Sequence, residues 1–186
     1  RAKNQGFGPD QFDGQDFGLE AKVQQVYPAY QARLRESSAV DFDDLLFMTT
    51  RLFEENADIL NVYRERFRQI LVDEYQDTNG AQHRLLKLLA GQGEGLCVVG
   101  DEDQSIYRWR GADVRGILQM EQDYPGTRVI QLEENFRSSA AILRGAAGVI
   151  KQNRNRREKA LIPTREVGEK LVLYSAMNER TEAEYV

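Results

Sequence analysis

The chain has 186 residues, 41% hydrophobic and 30% charged, with 25 Lys and Arg against 30 Asp and Glu for a formal net charge of −5. That length suits one domain or two small or incomplete ones, and the balance suits a packed core rather than disorder. A single Cys excludes an internal disulfide framework and, with a single His, argues against a structural zinc site. No apolar run reaches the ~18–20 residues of a membrane span, and no signal-peptide pattern opens the chain. The expectation is a soluble, cytoplasmic, mixed α/β protein, whose pI near 5.1 leaves any nucleic-acid partner to local patches.

Residues 1–18 hold four glycines and no sustained apolar period, so they read as loop or tether. Leu19, Val23, Val26, Tyr30 and Leu34 then recur at helical spacing, and Pro28 inside that run predicts a kink or a split. Asp41 can cap a helix whose buried stripe is Phe42, Leu45, Leu46, Thr49, Leu52 and Phe53. Ile59, Leu60, Tyr63 and Phe67 mark a further helix.

Residues 69–72 form a short apolar run that ends abruptly in Asp73-Glu74, the pattern of a buried strand with acids at its carboxyl end. Leu85 to Leu89 are helical and core-facing, and Gly91 and Gly93 end them. Leu96 to Val99 form a second buried strand ending at Gly100-Asp101. Asp113 to Tyr124 read as helix, Pro125-Gly126 as turn, and Arg128 to Leu132 as a third strand. Ser138 to Gln152 are helical, residues 151–159 are a basic run, Lys170 to Ser175 form a fourth strand, and a helix starts near Glu179. Helices alternating with short buried strands predict a parallel sheet flanked by helices.

An Asp-Glu pair at a strand's carboxyl end reads in two ways. It is a common structural terminus, and it is also a means of holding Mg²⁺ and orienting water in phosphoryl transfer. The continuation favours the second. Val72-Asp73-Glu74-Tyr75-Gln76-Asp77-Thr78-Asn79 resembles motif II of the superfamily 1 DNA helicases related to UvrD, Rep and PcrA. Further blocks follow in that family's order. They are Asp41-Phe42-Asp43-Asp44-Leu45-Leu46, the stretch from Val99 to Ala112 with Gln104-Ser105-Ile106-Tyr107-Arg108-Trp109-Arg110-Gly111, the stretch Leu132-Glu133-Glu134-Asn135-Phe136-Arg137-Ser138-Ser139, and the Asn/Arg/Lys pattern of residues 153–161.

The resemblance implies an incomplete RecA-like (P-loop NTPase) parallel sheet and the start of a second RecA-like domain. Residues 1–38 would be the tail of a helical accessory subdomain, 39–127 the later half of the first ATPase domain, and 128–186 the opening of the second. It implies ATP and Mg²⁺ as cofactors. Asp73 would be the metal-associated acid, acting through water, and Glu74 the base that polarises the attacking water. Gln104 would contact the γ-phosphate and couple it to DNA grip, and Arg137 would be an arginine finger. Phe136 occupies a position near the adenine that is often Tyr in these relatives.

The implied partners are single-stranded DNA and single-strand/duplex junctions, with Tyr107, Trp109 and Arg110 on the single-strand track and movement 3′ to 5′. A lone Trp is otherwise most often a core residue. The other readings are structural: Cys97 a small core side chain, His83 surface or half-buried, Thr78 the cap of the following helix, Asp77 a brace, and the acids of 41–46 architectural.

No GxxxxGK[ST] loop occurs in the 186 residues, so no backbone cradle for the β- and γ-phosphates is present. The expectation is an internal segment of a longer motor, inactive alone as an ATPase, marginally stable or self-associating, and dependent on the remainder of its own helicase chain. A helicase–nuclease motor and a non-catalytic single-strand binding module are the alternative readings.

Overall fold

The computed structural model describes residues 2–14, 18–153, 156–157 and 159–186. The chain divides into two units, Arg1–Thr127 and Arg128–Val186.

In the first unit, the amino-terminal residues are built into the fold. A 3-10 turn at Lys3–Gln5 packs against the later helices Phe42–Glu55 and Gly80–Ala90 and buries Ala2 and Lys3. The helix α1 spans Leu19–Glu36 without interruption. Pro28 therefore does not split it, because a proline removes only one N–H from a ladder that the flanking turns continue.

Helix α2, Phe42–Glu55, starts at Asp41 through a reciprocal capping box. The Asp41 carboxylate accepts from the Asp44 N–H, and the Asp44 carboxylate accepts from the Asp41 N–H. Its phase differs from the expected stripe. Asp44, Phe47, Thr50 and Phe53 are buried, whereas Phe42, Leu45 and Leu52 are exposed. The cause is the fully buried Asp44 carboxylate, which sits 2.8 Å from Lys3 Nζ and accepts from Gln31 Nε2 at 3.1 Å. Once that charge is satisfied inside, the rest of the helix must rotate with it.

Helix α3, Ala57–Arg66, leads into strand β1, Ile70–Val72. Helix α4, Gly80–Ala90, is capped by Asn79, boxed with Gln82, rather than by Thr78, whose hydroxyl donates to the Tyr75 carbonyl instead. Gly91 ends α4 at φ +56°, a conformation that suits glycine. Strand β2, Leu96–Val98, pairs with β1 in parallel, Leu71 opposite Cys97.

One face of this pair carries Ile70, Val72, Leu96 and Val98 onto a core of Tyr75, Leu86, Met120 and Tyr124. The other face leaves Leu71 80% exposed, and Cys97 and Val99 exposed with it. Strand alternation thus places Cys97 outside the core where it was expected. The segment 113–124 forms two short helices, α5 (Arg115–Leu118) and α6 (Met120–Asp123), divided at Gln119.

In the second unit, strand β3, Glu134–Asn135, pairs in parallel with β4, Ile162–Pro163. Between them lies helix α7, Ala140–Ile150, whose first amides donate to the carbonyls of Glu166 and Val167. Helix α8 spans Glu179–Tyr185, and Tyr185 stacks on Tyr174 with centroids 3.9 Å apart.

The strands expected over 128–132 and 170–175 are not formed. Ile130, Leu132, Leu171, Val172 and Leu173 are exposed, and β-propensity without a ladder partner does not make a strand. Of the basic run, Arg154, Asn155 and Glu158 lie outside the described residues. The architecture is mixed α/β with small parallel sheets, each of two strands among the described residues.

Candidate functional site

Parallel pairing brings the carboxyl ends of β1 and β2 side by side, and backbone bonds extend the seam beyond the strands. The Val99 N–H donates to the Val72 carbonyl at 2.7 Å, and the Tyr75 N–H donates to the Val99 carbonyl at 3.0 Å. Asp73-Glu74 and Gly100-Asp101 therefore emerge at the same edge.

Glu74 leaves the strand in the left-handed region, φ +50° and ψ +41°, which for a residue with a Cβ costs about 1–3 kcal/mol. That turn ends the strand and starts the 3-10 turn Tyr75–Asp77. Both acids are exposed, and the Asp73 carboxylate accepts the Glu74 N–H at 2.9 Å. Asp77 stays in the turn, where its Oδ1 has no hydrogen-bond partner among the described residues.

Across the seam, Asp101 caps the 3-10 turn Glu102–Gln104. Its carboxylate accepts from the Asp103 N–H at 3.0 Å and from Gln104 Nε2 at 2.8 Å. Gln104 itself is exposed.

Between the two edges lies a residue to which sequence reasoning assigned no role. Gln76 is 1% exposed. Its Nε2 donates to Glu74 Oε2 at 2.7 Å, its Oε1 accepts the Asp101 N–H at 3.0 Å, and its carbonyl accepts from the Ser105 hydroxyl at 3.2 Å. No local signal marks it, since its partners Asp101 and Ser105 lie 25 and 29 residues away.

The aromatic loop follows directly. A 3-10 turn at Arg108–Arg110 closes at Gly111, φ +92°, and the Ala112 N–H returns to the Tyr107 carbonyl. Trp109 is 73% exposed, so it is not the core residue that a lone Trp usually is. The Tyr107 and Trp109 ring centroids are 6.3 Å apart, and Arg110 lies over both, at 5.5 and 4.7 Å. The loop is tied to the segment after Glu74: Ala112 forms a bridge with Asn79, and the Asp113 N–H donates to the Thr78 carbonyl at 3.0 Å.

Beneath the seam, buried Tyr75 places its hydroxyl 2.8 Å from His83 Nδ1, and His83 Nε2 faces Asp123 at 3.4 Å. Burial, with the neighbouring Tyr124 and Asp123, pushes the Tyr75 phenol up to about 12, so it stays protonated. Burial also lowers the His83 imidazole, aided by Lys87 and opposed by Asp123 and Asp113. A neutral His83 protonated at Nε2, with that N–H directed at Asp123, leaves Nδ1 to accept from the Tyr75 hydroxyl.

In the second unit, Phe136 and Arg137 occupy the turn after β3. Asn135 Oδ1 accepts the N–H groups of Arg137 and Ser138, at 3.0 and 2.8 Å, and both the Phe136 and Arg137 side chains are exposed.

Chemically, the first-unit edge offers hard oxygen donors rather than a closed metal cage. No group of three or more His, Cys, Asp or Glu able to hold a metal occurs among the described residues. Mg²⁺ in nucleotide sites is held by one or two carboxylates together with phosphates and water, and Asp73 fits that use. No helix of the described residues is long and apolar enough to cross a membrane.

The UvrD/REP helicase N-terminal domain matches residues 1–125, and the UvrD-like helicase C-terminal domain matches residues 130–186. The chain is 52% identical over 164 residues to the ATP-dependent DNA helicase PcrA of Staphylococcus epidermidis, strain ATCC 35984, and equally to that of Staphylococcus aureus, strain Mu50. In each case the match takes in 88% of this chain and 22% of the relative's length.

Proposed function

Because the chain belongs to the UvrD/REP helicase family, we propose that it carries the water-activating and DNA-coupling portion of an ATP-dependent DNA helicase that moves 3′ to 5′ on single strands. The observation that carries this reading is the seam at which Glu74 and Asp101 are linked through one buried side chain, with the aromatic loop tied to the segment behind it.

In this reading the fold is RecA-like. Asp73 would hold Mg²⁺ through water, and bound Mg²⁺-ATP supplies the reacting phosphoryl group and part of its charge neutralisation. Glu74 accepts the proton of the attacking water at its carboxylate. Gln104, held by Asp101, reports the γ-phosphate to the residues that follow it in the chain. Arg137 neutralises charge on the transferring group, and Phe136 stacks on the adenine.

Tyr107 and Trp109 grip unpaired bases by stacking, which is indifferent to sequence, and Arg110 holds phosphate. Stacking and a tethered loop together let a change at Gln104 alter the hold on DNA. The phosphate cradle is not among these 186 residues, so the segment alone turns over no ATP.

The test is Mg²⁺-dependent ATP hydrolysis with and without single-stranded DNA. We expect no turnover by this chain alone. In the full-length protein carrying these residues, DNA-stimulated turnover should fall by about 10²- to 10⁴-fold in Glu74→Gln with nucleotide still bound. Full turnover in Glu74→Gln would sink the assignment.

A further inference from the structure

The buried amide of Gln76 is oriented by its surroundings. A backbone N–H can only donate, so the Asp101 amide requires the Gln76 oxygen, and the Gln76 NH₂ must then face the Glu74 carboxylate, as it does at 2.7 Å. Flipping the amide would set two donors against each other at Asp101 and two acceptors against each other at Glu74. A side chain that is 1% exposed has no water with which to repair either clash.

The fit is tight on the far side as well. A methyl group on Gly100 would stand 2.6 Å from Gln76 Oε1 and 2.8 Å from Ile117 Cδ1, so the absence of a side chain at 100 is what admits the amide. The Gln76 carbonyl accepts from Ser105, the residue immediately after Gln104. One residue therefore holds the carboxylate of Glu74, the backbone at Asp101 and the start of the loop that leads to Tyr107.

We infer that Gln76 is a positioning residue for water activation and the link between that step and the DNA loop, an inference that rests on Glu74 being the base. Its NH₂ fixes one carboxylate oxygen of Glu74 and leaves the other to receive the proton of the attacking water. Its oxygen and carbonyl tie that same geometry to the segment from Asp101 to Ser105. A shift of this segment, such as Gln104 meeting or losing a phosphate, then reaches Glu74 through two hydrogen bonds. A displacement of the base by about 1 Å is worth as much as ~100-fold in rate.

Two substitutions separate the halves of the role. Gln76→Met keeps the shape and removes both side-chain bonds. Gln76→Glu keeps an oxygen for the Asp101 N–H and replaces the donor to Glu74 with an acceptor. In the full-length protein, both should lower kcat by about 10- to 100-fold with KM for ATP within about twofold, and Glu should retain the fold-stimulation by single-stranded DNA that Met loses.

Hydrogen exchange at the Asp101 amide reads the linkage without turnover, and should be faster in Gln76→Met than in Gln76→Glu. Unchanged kcat in Gln76→Met beside an inactive Glu74→Gln overturns the positioning role alone. Full turnover in Glu74→Gln overturns the base assignment and this inference with it. Equal exchange at Asp101 in Gln76→Met and the unsubstituted protein overturns the link to the loop.

Discussion

Arg110 holds its guanidinium carbon 4.7 Å from the centroid of the Trp109 ring, and that ring is 73% exposed. A cation over one face of an exposed indole stiffens the ring and leaves its opposite face available to a planar partner. A base stacked there gains about 1–3 kcal/mol.

Trp109→Ala should therefore weaken binding of single-stranded DNA by about 5- to 150-fold. Trp109 is the single tryptophan of the chain, so its emission reports the contact directly. Addition of an oligothymidine should quench it and shift it to the blue. An oligonucleotide that binds equally well to Trp109→Ala, or leaves the emission untouched, would place the strand elsewhere.

Gly100 shows how little room surrounds the seam. A Cβ there meets Gln76 Oε1 and the Ile117 side chain below 3 Å, while one on Gly148 meets nothing within 4 Å. Gly100→Ala should destabilise the first unit by about 1–3 kcal/mol through overpacking. Gly148→Ala, in the last turn of α7, should stabilise the second unit by about 0.5 kcal/mol through helix propensity. Urea unfolding of each variant measures both. A neutral Gly100→Ala would mean that the Gln76 amide can move aside.

His83 predicts a pH dependence that can be assigned to one group. Its folded-state imidazole lies below its ordinary value of 6.5, because burial and Lys87 disfavour the cation more than Asp123 and Asp113 favour it. The unfolded chain therefore binds a proton, below about pH 6.5, that the folded one refuses. Stability is fully present above that pH and falls as pH drops, by at most about 1.4 kcal/mol per pH unit. Urea midpoints at pH 7.5 and 5.5 should differ, and His83→Gln should flatten the difference. A slope that survives in His83→Gln would have to come from another group.

The fold and the candidate site are legible in the sequence to different degrees. Asp41, three residues before Asp44, announced the start of α2, and the apolar runs before Asp73 and Asp101 announced both strands of the first unit. The phase of α2 was hidden because it depends on Asp44 being buried against Lys3, 41 residues away in sequence and inside a segment whose glycines suggested a tether. Cys97 lies outside the core because its strand covers a core on one face only. Val129, Ile130 and Leu171 to Leu173 have strand character, but no ladder among the described residues takes them in, and strand character alone does not form one. The helicase motifs marked Glu74 and Gln104. They could not mark Gln76 as the connection, because only the pairing of β1 with β2 brings Asp101 within reach of its amide.

Lys3 carries the last prediction. Its side chain is 5% exposed, and Nζ lies 2.6 Å from Asp41 and 2.8 Å from Asp44, whose side chain is fully buried. Burial opposes its charge, and the hydrogen bonds to the two carboxylates more than offset this, so the ammonium sits above its ordinary value. Burial likewise opposes ionisation of Asp41. The hydrogen bonds from Lys3, the Asp44 N–H and Tyr30 overcome it and leave that carboxyl below its ordinary value. The Asp41 contribution is therefore present at neutral pH and lost as pH falls through its lowered value, while that of Lys3 is lost only as pH rises past its own raised one. Removing the cation leaves the buried Asp44 carboxyl without its ion partner, so Lys3→Met should cost about 3–5 kcal/mol in unfolding by urea at pH 7. Adding Asp44→Asn to Lys3→Met should recover part of that loss, because the neutral amide no longer needs a cation, and the double-mutant cycle should show coupling above about 1 kcal/mol. Additive effects would mean that the amino-terminal turn is held by Ala2 and the backbone packing against α2 and α4, with the buried charges incidental.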